Sequence, residues 1–311
     1  MAVLQNNQRI HYIDRVDITC QIRDFLTDRR ARGLSPRTIG FYEEKLGIVA
    51  RHLKEVGITS VREIGPAAVR QLLLGLSETH NAGGVHAVYR SLRAFLNWWA
   101  EELEPEGWRN PLAKVKAPRL DEPPLEPVSL DDLRQMLDTC QPRTFHGERD
   151  RALMLFLLDS GCRRSEVQAL DVGDVNLANG SVLIVRGKGG KRRVAFVGAK
   201  TRRALVRYLR ERRAVKDSDP LWVTTQGGRL GLSSLREVVR RRAARAGVPE
   251  PGLHAFRRGF AISALRSGCD LITLQRLLGH SSLAVVSRYL KQVEDDLREA
   301  HQRVGPVDHL L

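Results

Sequence analysis

With 311 residues, the chain exceeds the usual size of a single domain, and its 42% content of hydrophobic residues is enough for packed cores. No apolar run approaches the roughly 20 residues of a membrane span, and the N-terminus lacks the pattern of a secretory signal. The four cysteines are scattered, which argues against a disulfide framework or a structural zinc site and favours the cytoplasm.

The charge balance indicates a polyanionic partner. The chain has 51 Lys and Arg against 36 Asp and Glu, a net charge of +15, and its pI is about 10.3. Nearly all of the excess lies in residues 129–311. A positive field of this kind attracts nucleic acid, although a basic protein without such a partner remains an alternative on charge alone.

Residues 17–104, which follow a short extension at 1–16, predict a bundle of four amphipathic helices. The first helix is expected from Asp17 to Phe25. The second begins at Ser35-Pro36, where a capping side chain precedes a proline in the first turn. Two further apolar stripes with helical spacing follow, one after Gly65-Pro66 and one from Val85 to Leu103.

Residues 105–128 are rich in proline and charge, which predicts an extended linker rather than a packed element. Ser129 then resembles a helix cap, with Asp132 as its partner in the first turn. The second domain is therefore expected to cover 129–311.

The second domain is predicted to be mixed α+β, so the fold class is mostly α with a small three-stranded antiparallel sheet. Its strands are expected at Val172–Leu177, Ser181–Val185 and Arg193–Val197. Its helices are expected at Arg149–Asp159, Ser165–Leu170, Lys200–Arg213, Ser233–Ala246, His254–Ser267, Leu271–Leu278, Ser281–Leu290 and Glu294–Arg303.

Four short stretches in this domain place polar residues in apolar surroundings. Together they contain Arg163, Glu166, Lys188, His254, Arg257, His280 and Tyr289. Two arginines, two histidines, a lysine and a tyrosine suit phosphoryl transfer, which needs positive donors around phosphorus and an in-line nucleophile. No acidic cluster resembles a two-metal site, so the chemistry is expected to need neither metal nor any other cofactor.

Each of these residues also has an ordinary structural interpretation when it is considered alone. Arg163 could be a surface or cap residue, and Lys188 a common hairpin tip between glycines. His254 and Arg257 lie three residues apart on one helical face, but could be a cap and a solvated side chain. Tyr289 could be a semi-buried helix aromatic. The combination and order of the four stretches favour the chemical interpretation.

The combination resembles the tyrosine recombinase (phage integrase) family, which includes the Xer recombinases. The matching segments are Ser160-Gly161-Cys162-Arg163-Arg164-Ser165-Glu166-Val167, Arg186-Gly187-Lys188-Gly189-Gly190-Lys191, His254-Ala255-Phe256-Arg257, and Leu277-Leu278-Gly279-His280-Ser281-Ser282 followed by Tyr289. The resemblance extends from Asp17 to Leu311. The chain departs from the usual pattern at Arg164 and at Arg258-Gly259, neither of which removes a catalytic group.

The resemblance implies a role for each site residue. Arg163 and Arg257 would clamp the scissile phosphate with help from His254 and His280. Lys188 would protonate the 5′-oxygen that leaves. Glu166 would orient the site. Tyr289 would form a 3′-phosphotyrosyl intermediate.

The resemblance also implies an architecture and partners. Residues 17–104 would be a helical core-binding domain that clamps duplex DNA together with the catalytic domain 129–311. The DNA would carry an inverted-repeat core site, bound by a homodimer that pairs into a synaptic tetramer through exchanged C-terminal tails. Two alternatives stay open: a type IB topoisomerase that relaxes DNA, and a non-catalytic DNA-binding protein of the same fold.

Two arginine-rich helices could contact DNA. One contains Lys200 and the arginines that follow it, for which a solvated face is an equal alternative. For the other we favour contact with DNA. Its candidate DNA-binding residues are Arg236, Arg240, Arg241, Arg242 and Arg245.

Overall fold

The chain folds into two compact units, one ending at Glu122 and the other beginning at Pro123. The computed structural model describes residues 17–120, 126–185, 192–212, 214–279 and 283–290. No helix within these ranges is long and apolar enough to cross a membrane.

The first unit contains the four helices that the sequence predicts. They are α1 (Ile18–Ala31), α2 (Pro36–Glu55), α3 (Pro66–Thr79) and α4 (Ala82–Leu103). The Ser35 hydroxyl accepts a hydrogen bond from the backbone N–H of Thr38 at 3.2 Å, which fixes the start of α2. In the core, the ring of Phe25 meets the rings of Tyr42, Phe95 and Trp98 edge-on, with centroids 5.3–5.8 Å apart.

The prediction that 105–128 is an extended linker is wrong for its first part, which packs on this unit. Trp108 lies edge-on against Trp99 with ring centroids 4.8 Å apart. Val115 is buried, and its carbonyl accepts a hydrogen bond from the Tyr89 hydroxyl at 2.9 Å. Pro111 begins a short 3₁₀ helix. The apolar contacts of Trp108 and Val115 therefore hold this segment on the unit despite its prolines. Proline is compatible with a first helical turn, which is where Pro111 lies.

The second unit is built around a central helix that is buried on several sides. The helices of the second unit are α5 (Leu130–Asp138), α6 (Phe145–Ser160), α7 (Arg164–Ala169), α8 (Ala199–Arg210), α9 (Leu232–Ala246), α10 (Leu253–Arg266), α11 (Leu271–Leu278) and α12 (Leu283–Leu290). The central helix α6 packs against α8 and α10. The helix expected at Glu294–Arg303 lies outside the described residues.

The sheet has two strands in the described residues rather than the predicted three. Strands β1 (Ser181–Ile184) and β2 (Arg193–Phe196) pair antiparallel. The segment expected to be the first strand instead forms a 3₁₀ turn at Val172–Asp174 and a single bridge from Val175 to Val182. A carboxylate oxygen of Asp174 accepts the backbone N–H of Asp171, which stabilises the turn against an extended conformation.

Candidate active site

The C-terminus of the central helix α6 places Arg163 at the site. Gly161 ends the helix in the left-handed conformation, with φ of 56°, where a Cβ would lie 2.5 Å from the Phe260 ring. Two residues later Arg163 caps α7. Its guanidinium donates to Glu166 Oε1 at 2.7 Å through Nη1 and to the carbonyl of Gly279 at 2.8 Å through Nη2.

Arg257 lies deeper, with a relative exposure of 2%. Its Nη1 donates to the carbonyl of Gly161 at 2.6 Å and its Nη2 to the carbonyl of Leu278 at 2.8 Å. Burial, reinforced by the positive charge of Arg163, lowers the pKa of Arg257 to about 10. Arg257 therefore still carries its charge at neutral pH. Two carbonyl oxygens hold its guanidinium in place.

The carbonyl end of α11 anchors three arginines on three successive residues. Arg193 donates to the carbonyl of Leu277 at 2.6 Å, next to the bonds that Leu278 and Gly279 accept from the other two arginines. The last carbonyls of a helix have no partner inside it and carry a partial negative charge. A guanidinium group both donates the missing hydrogen bonds and brings a positive charge to this negative end of the helix.

Glu166 connects Arg163 with Arg193. Its Oε2 accepts the backbone N–H of Arg163 at 2.8 Å and Nη2 of Arg193 at 2.7 Å. Burial would raise the pKa of this carboxyl, but the hydrogen bond from the Arg163 backbone and the charge of Arg193 outweigh it and lower the pKa. Glu166 is therefore ionised, and one carboxylate is shared by two guanidiniums.

His254 lies in the first turn of α10, close to a concentration of positive charge. Partial burial and the charges of Arg257, Arg258, Arg164 and Arg163 lower its pKa below the ordinary value of 6.5. The ring is therefore neutral at pH 7 and can accept as well as donate a hydrogen bond.

Tyr289 lies on α12 in a small apolar cluster with Ala261, Leu274, Leu278 and Val286. Its relative exposure is 7%. Leu278, a member of the same cluster, also supplies the carbonyl that accepts Nη2 of Arg257, so the phenol and this guanidinium share a neighbour. The structure thus brings Arg163, Arg257 and Tyr289 into one region, as the sequence predicts.

Two of the predicted site residues, Lys188 and His280, lie outside the described residues. Their assignment rests on the sequence and stays a prediction. Arg193, in contrast, was not singled out from the sequence. The available signal was its place on β2, where it shares the inward face with Ala195 and Val197, both buried. An arginine on the buried face of a strand needs a partner.

The five arginines expected to contact DNA from α9 fall into different environments. Arg242 is 2% exposed, and its guanidinium binds Asp150 Oδ2 at 2.7 Å and the carbonyl of Thr139 at 2.7 Å. This corrects its assignment, since a buried and paired guanidinium cannot reach a phosphate. Arg241 also binds Asp150, at 3.0 Å, but keeps 34% of its side chain exposed.

The other three, Arg236, Arg240 and Arg245, are exposed. Arg236 and Arg240 pair with glutamates at 2.9 and 2.8 Å, contacts that are weak in water and can be exchanged for phosphates. On the basic helix α8, Arg202 instead binds the carbonyls of Leu177 and Ala178. Part of the charge of α8 therefore stabilises the fold.

Comparison with known proteins identifies relatives of this chain. Residues 127–295 match the profile of the phage integrase family. The tyrosine recombinase XerC of Oceanobacillus iheyensis is 30% identical over 283 residues, which cover 88% of this chain and 92% of the relative. The tyrosine recombinase XerC of Actinobacillus pleuropneumoniae is 32% identical over 262 residues, which cover 82% and 83%.

Solved structures share the fold. The XerH site-specific recombinase bound to a palindromic difH substrate, in a post-cleavage complex, aligns with a TM-score of 0.72 at 22% identity, over 88% of this chain and 81% of that one. A lambda integrase dimer bound to a COC′ core site aligns with a TM-score of 0.70 at 16% identity, over 88% and 95%. By its sequence match, the chain belongs to the phage integrase family, the tyrosine recombinases.

Proposed function

We propose that this chain is a site-specific DNA recombinase that cleaves and rejoins strands through a covalent phosphotyrosine. The observation that carries the proposal is the pair Arg163 and Arg257, fixed on the successive carbonyls of Gly279 and Leu278 at the C-terminal end of α11, with Leu278 in the same buried cluster as Tyr289. Two charged forks held rigidly around one position suit a phosphodiester, and the nearby phenol supplies a nucleophile.

The reaction follows from the roles that these residues can take. The Tyr289 oxygen attacks phosphorus and gives its proton to water, while the bond from phosphorus to the 5′-oxygen breaks and its electron pair stays on that oxygen. We assign to Lys188 the proton delivered to that oxygen, and to His254 and His280 hydrogen bonds to the phosphate. The 3′-phosphotyrosyl link conserves the bond energy, so the 5′-hydroxyl of a second strand can reverse the step without ATP. No metal or other cofactor takes part in this scheme.

The apolar setting of Tyr289 adds a requirement. At 7% exposure the residue is covered by side chains of α10 and α11 as well as by its own helix. We infer that binding of DNA shifts α12 enough to present the phenol to phosphorus. A nucleophile that is covered until substrate binds would limit unspecific cleavage.

The partners follow from the proposed reaction. Strand exchange needs two duplexes, so we propose a dimer on each inverted-repeat site and a tetramer in the synapse. Lambda integrase has been solved as a dimer bound to a COC′ core site and as a tetramer bound to a Holliday junction. We propose that 17–104 is the core-binding domain and 129–311 the catalytic domain, and that the enzyme acts on DNA in the cytoplasm.

A covalent trapping experiment tests the proposal. The full chain is incubated with a pool of random-sequence duplexes that carry single nicks, so that the cleaved fragment diffuses away and the adduct accumulates. Adducts are recovered under denaturing conditions and sequenced. We expect an inverted-repeat site from the wild type and no adduct from Tyr289→Phe.

Three outcomes would contradict the proposal. An adduct formed by Tyr289→Phe would exclude this nucleophile. Adducts without a shared site, together with relaxation of supercoiled plasmid, would indicate a topoisomerase. Tight binding without any adduct would indicate a non-catalytic DNA-binding protein.

A further inference from the structure

Arg193, which the sequence does not single out, links two parts of the site. It begins β2, and its guanidinium reaches two elements that are distant in sequence. Nη1 donates to the carbonyl of Leu277 at 2.6 Å, and Nη2 donates to Glu166 Oε2 at 2.7 Å. Its side chain is 12% exposed, so both bonds form largely out of water.

These two contacts bear on the orientation of Arg163 from both sides. Glu166 holds Nη1 of Arg163, and Gly279, two residues after Leu277, holds Nη2. Loss of Arg193 would leave the Leu277 carbonyl without this partner and would remove one of the two charges that hold Glu166. A buried charge that loses a partner is left partly uncompensated, so Glu166 would depend on Arg163 as its remaining guanidinium partner.

The packing of Gly279 shows how tightly this contact is fitted. Gly279 has a φ of 65°, and a Cβ at this position would lie 2.5 Å from Cδ and 2.8 Å from Nε of Arg193. The side chain of Arg193 therefore lies directly on the backbone whose carbonyl anchors Arg163. A side chain in this position determines where that carbonyl points.

We propose that Arg193 is a positioning residue that sets the geometry of the phosphate clamp by fixing Glu166 and the C-terminal turn of α11. The proposal rests on the proposed function. Arg193 does not contact the phosphate itself. It lies five residues after Lys188, the proposed general acid, in the sequence.

Substitutions of Arg193 separate its charge from its shape. Arg193→Met removes both contacts at similar length. Arg193→Lys keeps the charge, but a single ammonium group cannot reproduce the planar fork that spans Leu277 and Glu166. Because a misplacement of about 1 Å at a reacting group costs about a hundredfold in rate, we expect Arg193→Met to slow cleavage by about that factor and Arg193→Lys to be intermediate.

The matched control is Arg212→Met. Arg212 also binds two backbone carbonyls, those of Pro220 and Leu221, at 2.8 and 3.1 Å, so its guanidinium stabilises the fold rather than contacting DNA, and it lies outside the site. Single-turnover formation of the covalent adduct is measured on the duplex recovered by trapping, and DNA affinity is measured separately. We expect Arg193 variants to lose rate with DNA affinity within about twofold of wild type, and Arg212→Met to keep both. An unchanged rate in Arg193→Met, or an equal loss in Arg212→Met, overturns the proposal.

A second measurement does not depend on the recombinase reaction. Inorganic phosphate is titrated into the full-length proteins, and the arginine Nε–H signals are followed by NMR. Phosphate should bind wild type and Arg212→Met alike and should bind both Arg193 variants several-fold more weakly. If wild type forms no DNA adduct, the proposed function fails while this titration still decides the role of Arg193. Equal phosphate binding by all four proteins, or none by wild type, overturns that role.

Discussion

The buried carboxylate of Asp150 allows a prediction that distinguishes arginines that stabilise the fold from arginines that are proposed to contact DNA. Asp150 is fully buried and pairs with Arg149, Arg241 and Arg242 at 2.7–3.0 Å. Two of these guanidiniums are themselves almost inaccessible, with side-chain exposures of 5% and 2%. Asp150→Asn would leave both without a full negative charge nearby.

The expected cost is large because solvent cannot replace the lost charge. Removing one partner from a buried ion pair costs about 3–5 kcal/mol. Arg241 is 34% exposed and can turn towards water, so the cost falls mainly on Arg149 and Arg242. We expect Asp150→Asn to lower the free energy of unfolding of the second unit by about 3–5 kcal/mol. The double variant Asp150→Asn/Arg242→Met should be less destabilised than the sum of the two single changes.

Urea titration with hydrogen exchange at the amides of α6 and α9 reports on this unit by itself. Asp131→Asn serves as the control, because its partner Arg134 is 74% exposed and the pair contributes little. DNA affinity of the folded variants is measured in parallel, together with Arg240→Ala. We expect only Arg240→Ala to weaken binding and to reduce its salt dependence.

The reasoning would be refuted if Asp150→Asn unfolded at the same urea concentration as the control. It would also be refuted if Arg242→Met, in its folded state, weakened DNA binding and its salt dependence as much as Arg240→Ala. The first result would mean that the buried ion pairs of Asp150 contribute little to stability, and the second that Arg242 contacts DNA.

Two further predictions concern the site itself. Gly279→Ala and Gly247→Ala both place a side chain at positive φ (65° and 69°), so each should lose about 1–2 kcal/mol of stability. Only the new side chain at position 279 meets another residue, Arg193, so only Gly279→Ala should slow adduct formation. Equal rates of adduct formation in the two variants would exclude an effect of the contact with Arg193. The ring of His254 should titrate below pH 6.5 by NMR, and its pKa should rise in Arg258→Gln. Because the folded pKa lies below the unfolded one, the stability due to the neutral ring is present above pH 6.5 and declines as the pH falls through that value; a pKa of 6.5 or higher would contradict this.

The helices were the most predictable part of the fold because local signals determine them. Ser35 with Pro36 marks the start of α2, and Asp270 caps α11 by accepting backbone N–H groups. The predicted bounds of α11 match those observed. Apolar periodicity fixes which face of each helix is buried, and this holds without knowledge of the neighbouring elements.

The errors came from residues whose environment depends on distant parts of the chain. Prolines between 105 and 128 indicated an extended segment, but Trp108 and Val115 find apolar partners on the first unit. The sequence does not distinguish Arg242 from its exposed neighbours, whereas the structure pairs it with the buried Asp150. Basic residues in a helix show no sequence difference between a phosphate contact and a buried pair.

The site was predictable as a set of side chains but not as a geometry. Motif order predicts Arg163, Arg257 and Tyr289 as site residues, and the structure places them in one region. The acceptors that hold the arginines are backbone carbonyls, and every residue has one. No sequence pattern could therefore show that the end of α11 anchors them.

This use of backbone has a consequence for how the enzyme tolerates mutation. No amino-acid substitution can delete the carbonyls of Leu277, Leu278 or Gly279, so the acceptor of each anchoring hydrogen bond remains whatever side chain is present. Saturation mutagenesis scored by recombination should therefore be asymmetric. It should register the arginines and Gly279 as intolerant, while Leu277, which is only partly buried, should accept other apolar residues without loss of the clamp.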